Sequence, residues 1–329
     1  MPGQTRVVED TSASTLPSPP APIFRLKQTL GGVGKGALCP AFSPGGRWLV
    51  CGDADGPIAL RDAVTGDQFR TLKEVDGTAT PLCFSPDGRL LAASGLTGRI
   101  VIWNFATGAV ERDLLGHLKA VLSLSFHPQD GVLASGGYDG IIRVWDIVAG
   151  RSILDWDSRQ EVLHSVVFSP DGRLLASVGR DGTLRCWDAR TGAPLWTVAA
   201  HKDTVHCLRF TPDGEALFSC ARDARIKCWE TVTWTQKQVL REHCHSVLSL
   251  GVCSDGALLA SGSSDGEVKL WELPTGRLAQ TLQSGRLAVD CLEFSPDGTA
   301  LASAAADNQI GIWERVRPRY SPRFLQGLP

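Results

Sequence analysis

The chain has 329 residues, enough for two or three ordinary domains or for one large fold of repeated units. Its 43% hydrophobic content, with 35 Gly and 19 Pro, indicates a turn-rich globular protein and excludes a mainly helical or disordered one. A formal net charge of -2 excludes wholesale attraction to nucleic acid or anionic lipid, so any partner must be read by a local patch.

Residues 1–22, which include DTSASTLPSPP, read as a disordered lead rich in Ser, Pro and Thr. They carry no basic flank followed by an apolar core, and no run in the chain approaches the roughly 18 apolar residues of a membrane span. The expectation is a soluble protein of the cytoplasm or nucleus with no membrane partner. The 10 cysteines form no CxxC pair, and most lie in apolar strand-like runs, which predicts reduced, packed thiols.

TLGGVGKGAL, residues 29–38, invites comparison with a phosphate-binding loop. That loop needs G-x-x-x-x-G-K-[ST], in which Lys reaches the outer phosphates and the hydroxyl holds Mg²⁺. Here Thr29 stands at the first Gly position and Gly36 at the hydroxyl position, and the apolar run Leu38 to Phe42 reads as a strand. The match fails in residues and in context.

From there onward the chain is periodic. AFSPGG, CFSPDG, SFHPQD, VFSPDG, RFTPDG, GVCSDG and EFSPDG put Phe42, Phe84, Phe126, Phe168, Phe210, Val252 and Phe294 at one spacing of 42. A second comb follows 19 residues behind the first: Trp103, Trp145, Trp187, Trp229, Trp271 and Trp313, with Arg61 in the first copy. Within one copy, AVLSLSF, VLASGG, IIRVW and RSILDW are short alternating or apolar runs separated by HPQD, YDG and VAG. Four strands per unit follow, with Asp-Gly supplying the positive φ of tight turns.

These features resemble the WD40 repeat family: Gly116-His117, the FSPDG turns, and terminal pairs such as Trp145-Asp146 and Trp103-Asn104. The resemblance covers residues 23–315 and implies an all-β, seven-bladed β-propeller of four-stranded antiparallel blades. Leu30, Leu72, Leu114, Trp156, Val198, Leu240 and Leu282 also fall at spacing 42, while the last copy ends at Trp313 without a fourth strand. IFRLKQTL, residues 23–30, is therefore predicted to complete the last blade and close the ring. Residues 316–329, with three arginines, Tyr320 and Phe324, read as a basic C-terminal tail.

Ser, His and Asp recur in each unit and also spell a hydrolase triad. The sets are His117, Ser135, Asp139 and Trp145; His201, Ser219, Asp223 and Trp229; His243, Ser261, Asp265 and Trp271. Their repetition argues against catalysis, and the resemblance implies hydrogen-bonded structural tetrads. The His position holds Arg159 in blade four and Gly285 in blade seven; blade two has Val75 and Ala93, and blade one has Val33, Cys51 and Arg61. Blades one and two should be the weaker part of the ring.

His243, Cys244 and His245 have no companion ligands at zinc-like spacing, and no metal or other cofactor is expected. Cys39, Cys207 and Cys291 share the position three before the Phe comb and read as small core residues. Trp187-Asp188-Ala189-Arg190 matches the short WDxR signature of WD40 substrate receptors for cullin-type ubiquitin ligases, with Val178 departing from the upstream pattern.

Positions that the repeat leaves free are where function can be written. In WD40 proteins, three such residues per blade project on the upper face: those six and four before the Phe comb, and the one before the tetrad Asp. They read Leu38 and Ala54, Thr80 and Leu96, Leu122 and Tyr138 in blades one to three; Val162, His164 and Arg180 in blade four; Thr204, His206 and Arg222 in blade five. Ser246, Leu248 and Ser264 follow in blade six, and Asp290 and Ala306 in blade seven. Leu122, Tyr138, His164, Arg180, His206 and Arg222 form the expected partner-binding sector, suited to an acidic or phosphorylated peptide. The resulting expectation is a non-catalytic protein-interaction scaffold, a monomeric ring within a larger hetero-complex. A ubiquitin-ligase receptor is the alternative; a propeller enzyme or nucleic-acid binder is disfavoured for want of a unique catalytic pair or a basic stripe.

Overall fold

The computed structural model describes residues 23–31, 39–52, 57–73 and 81–316. The lead 1–22, the crossing 32–38 with Val33 and Leu38, Ala54, Val75, Thr80 and the tail from 317 lie outside the described residues. Among the described residues every regular element is a β-strand, and the strands form seven four-stranded antiparallel sheets. Six sheets take their strands in chain order; the seventh runs Ile23–Gly31, Gln309–Val316, Ala300–Ala305, Val289–Phe294. The N-terminal strand thus completes the last blade, and the seven-bladed ring is closed as expected.

Local chemistry sets the strand ends. In blade four the Ser169 hydroxyl donates to Asp171 Oδ1 at 2.6 Å and accepts the Leu174 N–H at 2.9 Å, while Asp171 also accepts the Arg173 N–H at 3.1 Å. Gly172 closes this turn at φ +74°, a conformation that an L side chain rarely adopts. The FSPDG signature is therefore a self-satisfied hairpin turn, and its side-chain bonds replace ladder bonds lost where the chain reverses. Not every tight turn needs its glycine: Ala224 and Asn308 take the positive-φ place at φ 62° and 64° in blades five and seven.

The core lies between blades. Each apolar cluster joins residues of two neighbouring sheets, for example Leu184 and Cys186 of blade four with Leu208 and Leu217 of blade five. At the seam, Leu30, Ile310 and Ile312 of blade seven pack on Phe42, Leu49 and Cys51 of blade one. Phe24, 1% exposed, contributes to the interface of blades six and seven. Gln280 of blade six fixes it there, accepting the Phe24 N–H and donating to the Phe24 C=O, both at 2.9 Å. The closing strand is thus bound to its own blade and to the blade before it.

One irregularity recurs. In blades three to seven the register between the first two strands slips, from Val121 to Ser123, Leu163 to Ser165, Val205 to Cys207, Val247 to Ser249 and Val289 to Cys291. Each skipped residue is the one four before the Phe comb. A bulge frees such a residue from the pleat and re-aims its side chain.

Candidate functional site on the upper face

Antiparallel order places the first–second and third–fourth strand turns at one end of the ring, the lower face. The second–third turns and the crossings between blades share the opposite, upper end. The tetrads tie these upper loops down. In blade three, Trp145 Nε1–H donates to Ser135 Oγ at 2.8 Å, Ser135 meets His117 Nε2 at 2.7 Å, and His117 Nδ1 meets Asp139 at 2.8 Å. Since the indole can only donate, the serine proton goes to Nε2 and the Nδ1 proton to the carboxylate. Burial alone would raise the Asp139 carboxyl, but the hydrogen bond from His117, with those from the Ile141 and Leu118 N–H groups, holds it below its ordinary value.

Blade five repeats the chain: His201 meets Asp223 at 3.1 Å and Ser219 at 2.8 Å, and Trp229 donates to Ser219 at 2.9 Å. Blade six departs from it. His243 and Trp271 meet Ser261 at 2.7 and 2.8 Å, but Asp265 takes His245 at 3.0 Å instead of His243. His243 Nδ1 has no hydrogen-bond partner among the described residues, and burial depresses this histidine to about 4. Ser135, Ser219 and Ser261 are 0% exposed, so none can present a nucleophile to a substrate.

Two blades without the histidine replace it by a neighbour that the spacing passes over. In blade four, exposed Arg159 is bypassed; Gln160 Oε1 accepts the Ser177 hydroxyl at 2.6 Å, and Trp187 donates to the same oxygen of Ser177 at 2.9 Å. In blade seven, Ser284 and not Gly285 meets Ser303 at 2.8 Å, and Trp313 donates to Ser303 at 2.8 Å. Blade one uses Arg61 differently: its guanidinium donates to the C=O of Gly31, the last residue of the closing strand, at 2.8 Å.

Above this scaffold, blades three to six enclose a cavity of about 430 Å³. Its wall comprises Tyr138 of blade three; Val162, His164 and Arg180 of blade four; Thr204, His206 and Arg222 of blade five; and Ser246, Leu248 and Ser264 of blade six. Every one occupies a position that the repeat leaves free. His164 and His206 are bulge residues, and their rings meet edge to face with centroids 5.4 Å apart. Leu122 departs from expectation: it sits half-buried on the corresponding bulge of blade three and does not line the cavity, which is displaced toward blade six.

The site is cationic but not saturated with acids. Arg180 makes no ion pair among the described residues, and Arg222 has only a long contact with Asp203 at 4.0 Å between exposed groups. Burial, then the Arg180 charge, holds His164 below its ordinary value; burial, with His164 and Arg222, brings His206 to about 4. Both imidazoles are therefore neutral near pH 7, leaving the guanidinium groups as the fixed charges. Asp290, the bulge residue of blade seven, is the acid at this position in the repeat and is exposed. Among the described residues no three His, Cys, Asp or Glu side chains are arranged to hold a metal ion.

On the lower face, the Trp187–Arg190 segment forms the third–fourth strand turn of blade four. Asp188 Oδ1 accepts the Arg190 and Thr191 N–H groups at 3.1 and 2.9 Å, so it serves the turn, while the Arg190 residue is exposed.

A closed ring of seven four-stranded antiparallel sheets, with repeat-dictated residues inside and a variable cavity at one end, defines a seven-bladed β-propeller. The family model "WD domain, G-beta repeat" (WD40) matches residues 81–104, 108–146, 155–188, 192–230, 234–272 and 276–314, and the chain belongs to this family. The matched segments begin with blade two; blade one, which carries Arg61 in place of Trp, lies outside them. No curated protein sequence matches the chain.

Proposed function

We propose that this propeller is a non-catalytic scaffold whose upper face captures an acidic or phosphorylated peptide segment, as one subunit of a larger assembly. The observation that carries the reading is the convergence of Arg180 and Arg222 on one cavity with His164, His206 and Tyr138. Guanidinium groups form bidentate bonds to carboxylate or phosphate, and an aromatic beside them supplies apolar contact at small entropic cost. The proposed compartment is the cytoplasm or nucleus, supported by the 10 free cysteines. Affinity purification of the wild type beside Arg180→Glu/Arg222→Glu, with mass spectrometry, tests it. The expected result is loss of the acidic partners with melting unchanged; equal capture by the variant refutes it.

A second reading, a substrate receptor of a cullin-type ubiquitin ligase, is supported by Arg190 alone, exposed on the lower face where Trp187 and Asp188 already serve the fold. The same purification reports on it, since ligase subunits would persist in the upper-face variant.

A further inference from the structure

The position three before the Phe comb has a shared geometry around the ring. Ser123 Oγ donates to Val166 O at 3.2 Å and accepts the Val166 N–H at 2.9 Å; Ser165 Oγ accepts the Leu208 N–H at 3.2 Å; Ser249 Oγ donates to Val289 O at 3.0 Å. A side chain here points at the inner strand of the following blade. Only where blade seven meets blade one do two consecutive copies carry cysteine. There the sulfurs of Cys39 and Cys291, separated by 252 positions in sequence, lie 3.5 Å apart.

Both residues are half-buried. A lower-face cavity of about 590 Å³ is lined by Ala41, Leu292 and Glu293, chain neighbours of the two cysteines, and has Arg209 in its wall; the cysteines themselves do not line it. A disulfide requires about 2.05 Å between sulfurs, so each sulfur needs to move by less than ~1 Å from the present 3.5 Å. We propose that Cys39 and Cys291 are a peroxide-oxidisable thiol pair whose disulfide covalently latches blade seven to blade one.

The two thiols are unequal. The hydrogen bond from Cys291 lowers the Cys39 thiol against the effect of burial, with the Leu82 N–H and the Arg209 charge acting in the same direction. The same bond and burial push Cys291 up. Cys39 is accordingly the nucleophile. Its thiolate attacks one peroxide oxygen, the S–O bond forms as O–O breaks, and the departing hydroxide is protonated to water. Cys291 sulfur then attacks the Cys39 sulfenic acid; S–S forms, S–O breaks, and the Cys291 proton leaves with the hydroxide as a second water. One peroxide is reduced and two thiols are oxidised.

The consequence follows from the ring's construction. The closing strand is held by non-covalent contacts, whereas the latch joins the two blades on either side of the seam through their innermost strands. The full chain, reduced and desalted, is treated with hydrogen peroxide, blocked with iodoacetamide and mapped without reduction. The expected result is a Cys39–Cys291 linked peptide, removed by dithiothreitol, and urea unfolding slowed about tenfold or more. Cys39→Ser and Cys291→Ser abolish both effects, and the second leaves a Cys39 sulfenic acid that dimedone traps. Serine occupies this place in three other blades, so these variants should fold; if either does not, the wild-type map alone decides. Oxidation confined to exposed Cys244, a Cys207–Cys220 link in its place, or a Cys39–Cys291 link that leaves unfolding unchanged overturns the proposal.

Discussion

His206 shows how one bulged residue couples the fold to the proposed ligand. Its depressed value of about 4 against an ordinary 6.5 means that the folded ring excludes a proton the unfolded chain binds. The stability it confers is full above pH 6.5 and is lost as pH falls toward about 4. An anionic segment in the cavity reverses the local cost of the imidazolium and raises both histidines, so binding takes up a proton. Affinity for a Glu-rich peptide should therefore rise roughly three- to tenfold from about pH 7 to 5. His206→Gln should flatten that dependence, as read by fluorescence anisotropy; an unchanged slope would place the proton elsewhere. A carboxylate peptide is preferred to a phosphopeptide because phosphate itself titrates near pH 6.

At the scale of elements, the closing strand carries more than its length suggests. Ile23–Gly31 pairs along Gln309–Val316, and Phe24, buried beside Phe294 at 5.9 Å between ring centroids, is clamped by Gln280 of blade six. Removing it exposes the edge of Gln309–Val316 and the apolar surfaces around Phe24 and Leu30. Deletion of residues 1–31 is expected to lower the melting temperature by 10 °C or more, in the order of several kcal/mol of lost burial, while deletion from residue 318 onward changes it little. Comparable melting of the two truncations would contradict closure through this strand. The strand was legible because Leu30 shares the 42-residue phase of the outer-strand comb. Gln160 and Ser284 were not, because a tetrad substitute need only bring a polar atom to the serine, and that depends on how each crossing turns. Arg159 shows the difference: at φ 57° it swings its side chain out and lets Gln160 in.

For the whole molecule, stability is a sum over blade interfaces, and the interfaces are unequal. Blades three and five carry complete tetrads, and blades four and seven carry Gln160 and Ser284 instead. In blade two, Ala93 stands where blades three to seven have the serine that receives the Trp hydrogen bond, and in blade one Cys51 and Arg61 stand in place of Ser and Trp. Hydrogen-exchange mass spectrometry should find the strand amides of blades one and two exchanging at least about tenfold faster than those of blades three and five. Equal protection around the ring would show that interface packing, and not the tetrads, sets local stability.

Sequence by itself determined the number of copies and the seam, because each is a matter of phase in a chain that repeats every 42 residues, while the blade architecture and the upper-face positions followed from the resemblance to the WD40 family. It also separated the glycine-rich crossing from a nucleotide site, since Thr29 and Leu30 belong to the closing strand. Tertiary structure alone decided what those positions do together. The bulges that turn His164 and His206 ring to ring, the exchange of Asp265 from His243 to His245, and the meeting of the Cys39 and Cys291 sulfurs are side-chain contacts that the 42-residue phase does not specify. Periodicity fixes where a residue sits in its own blade; only closing the ring fixes which neighbour it faces.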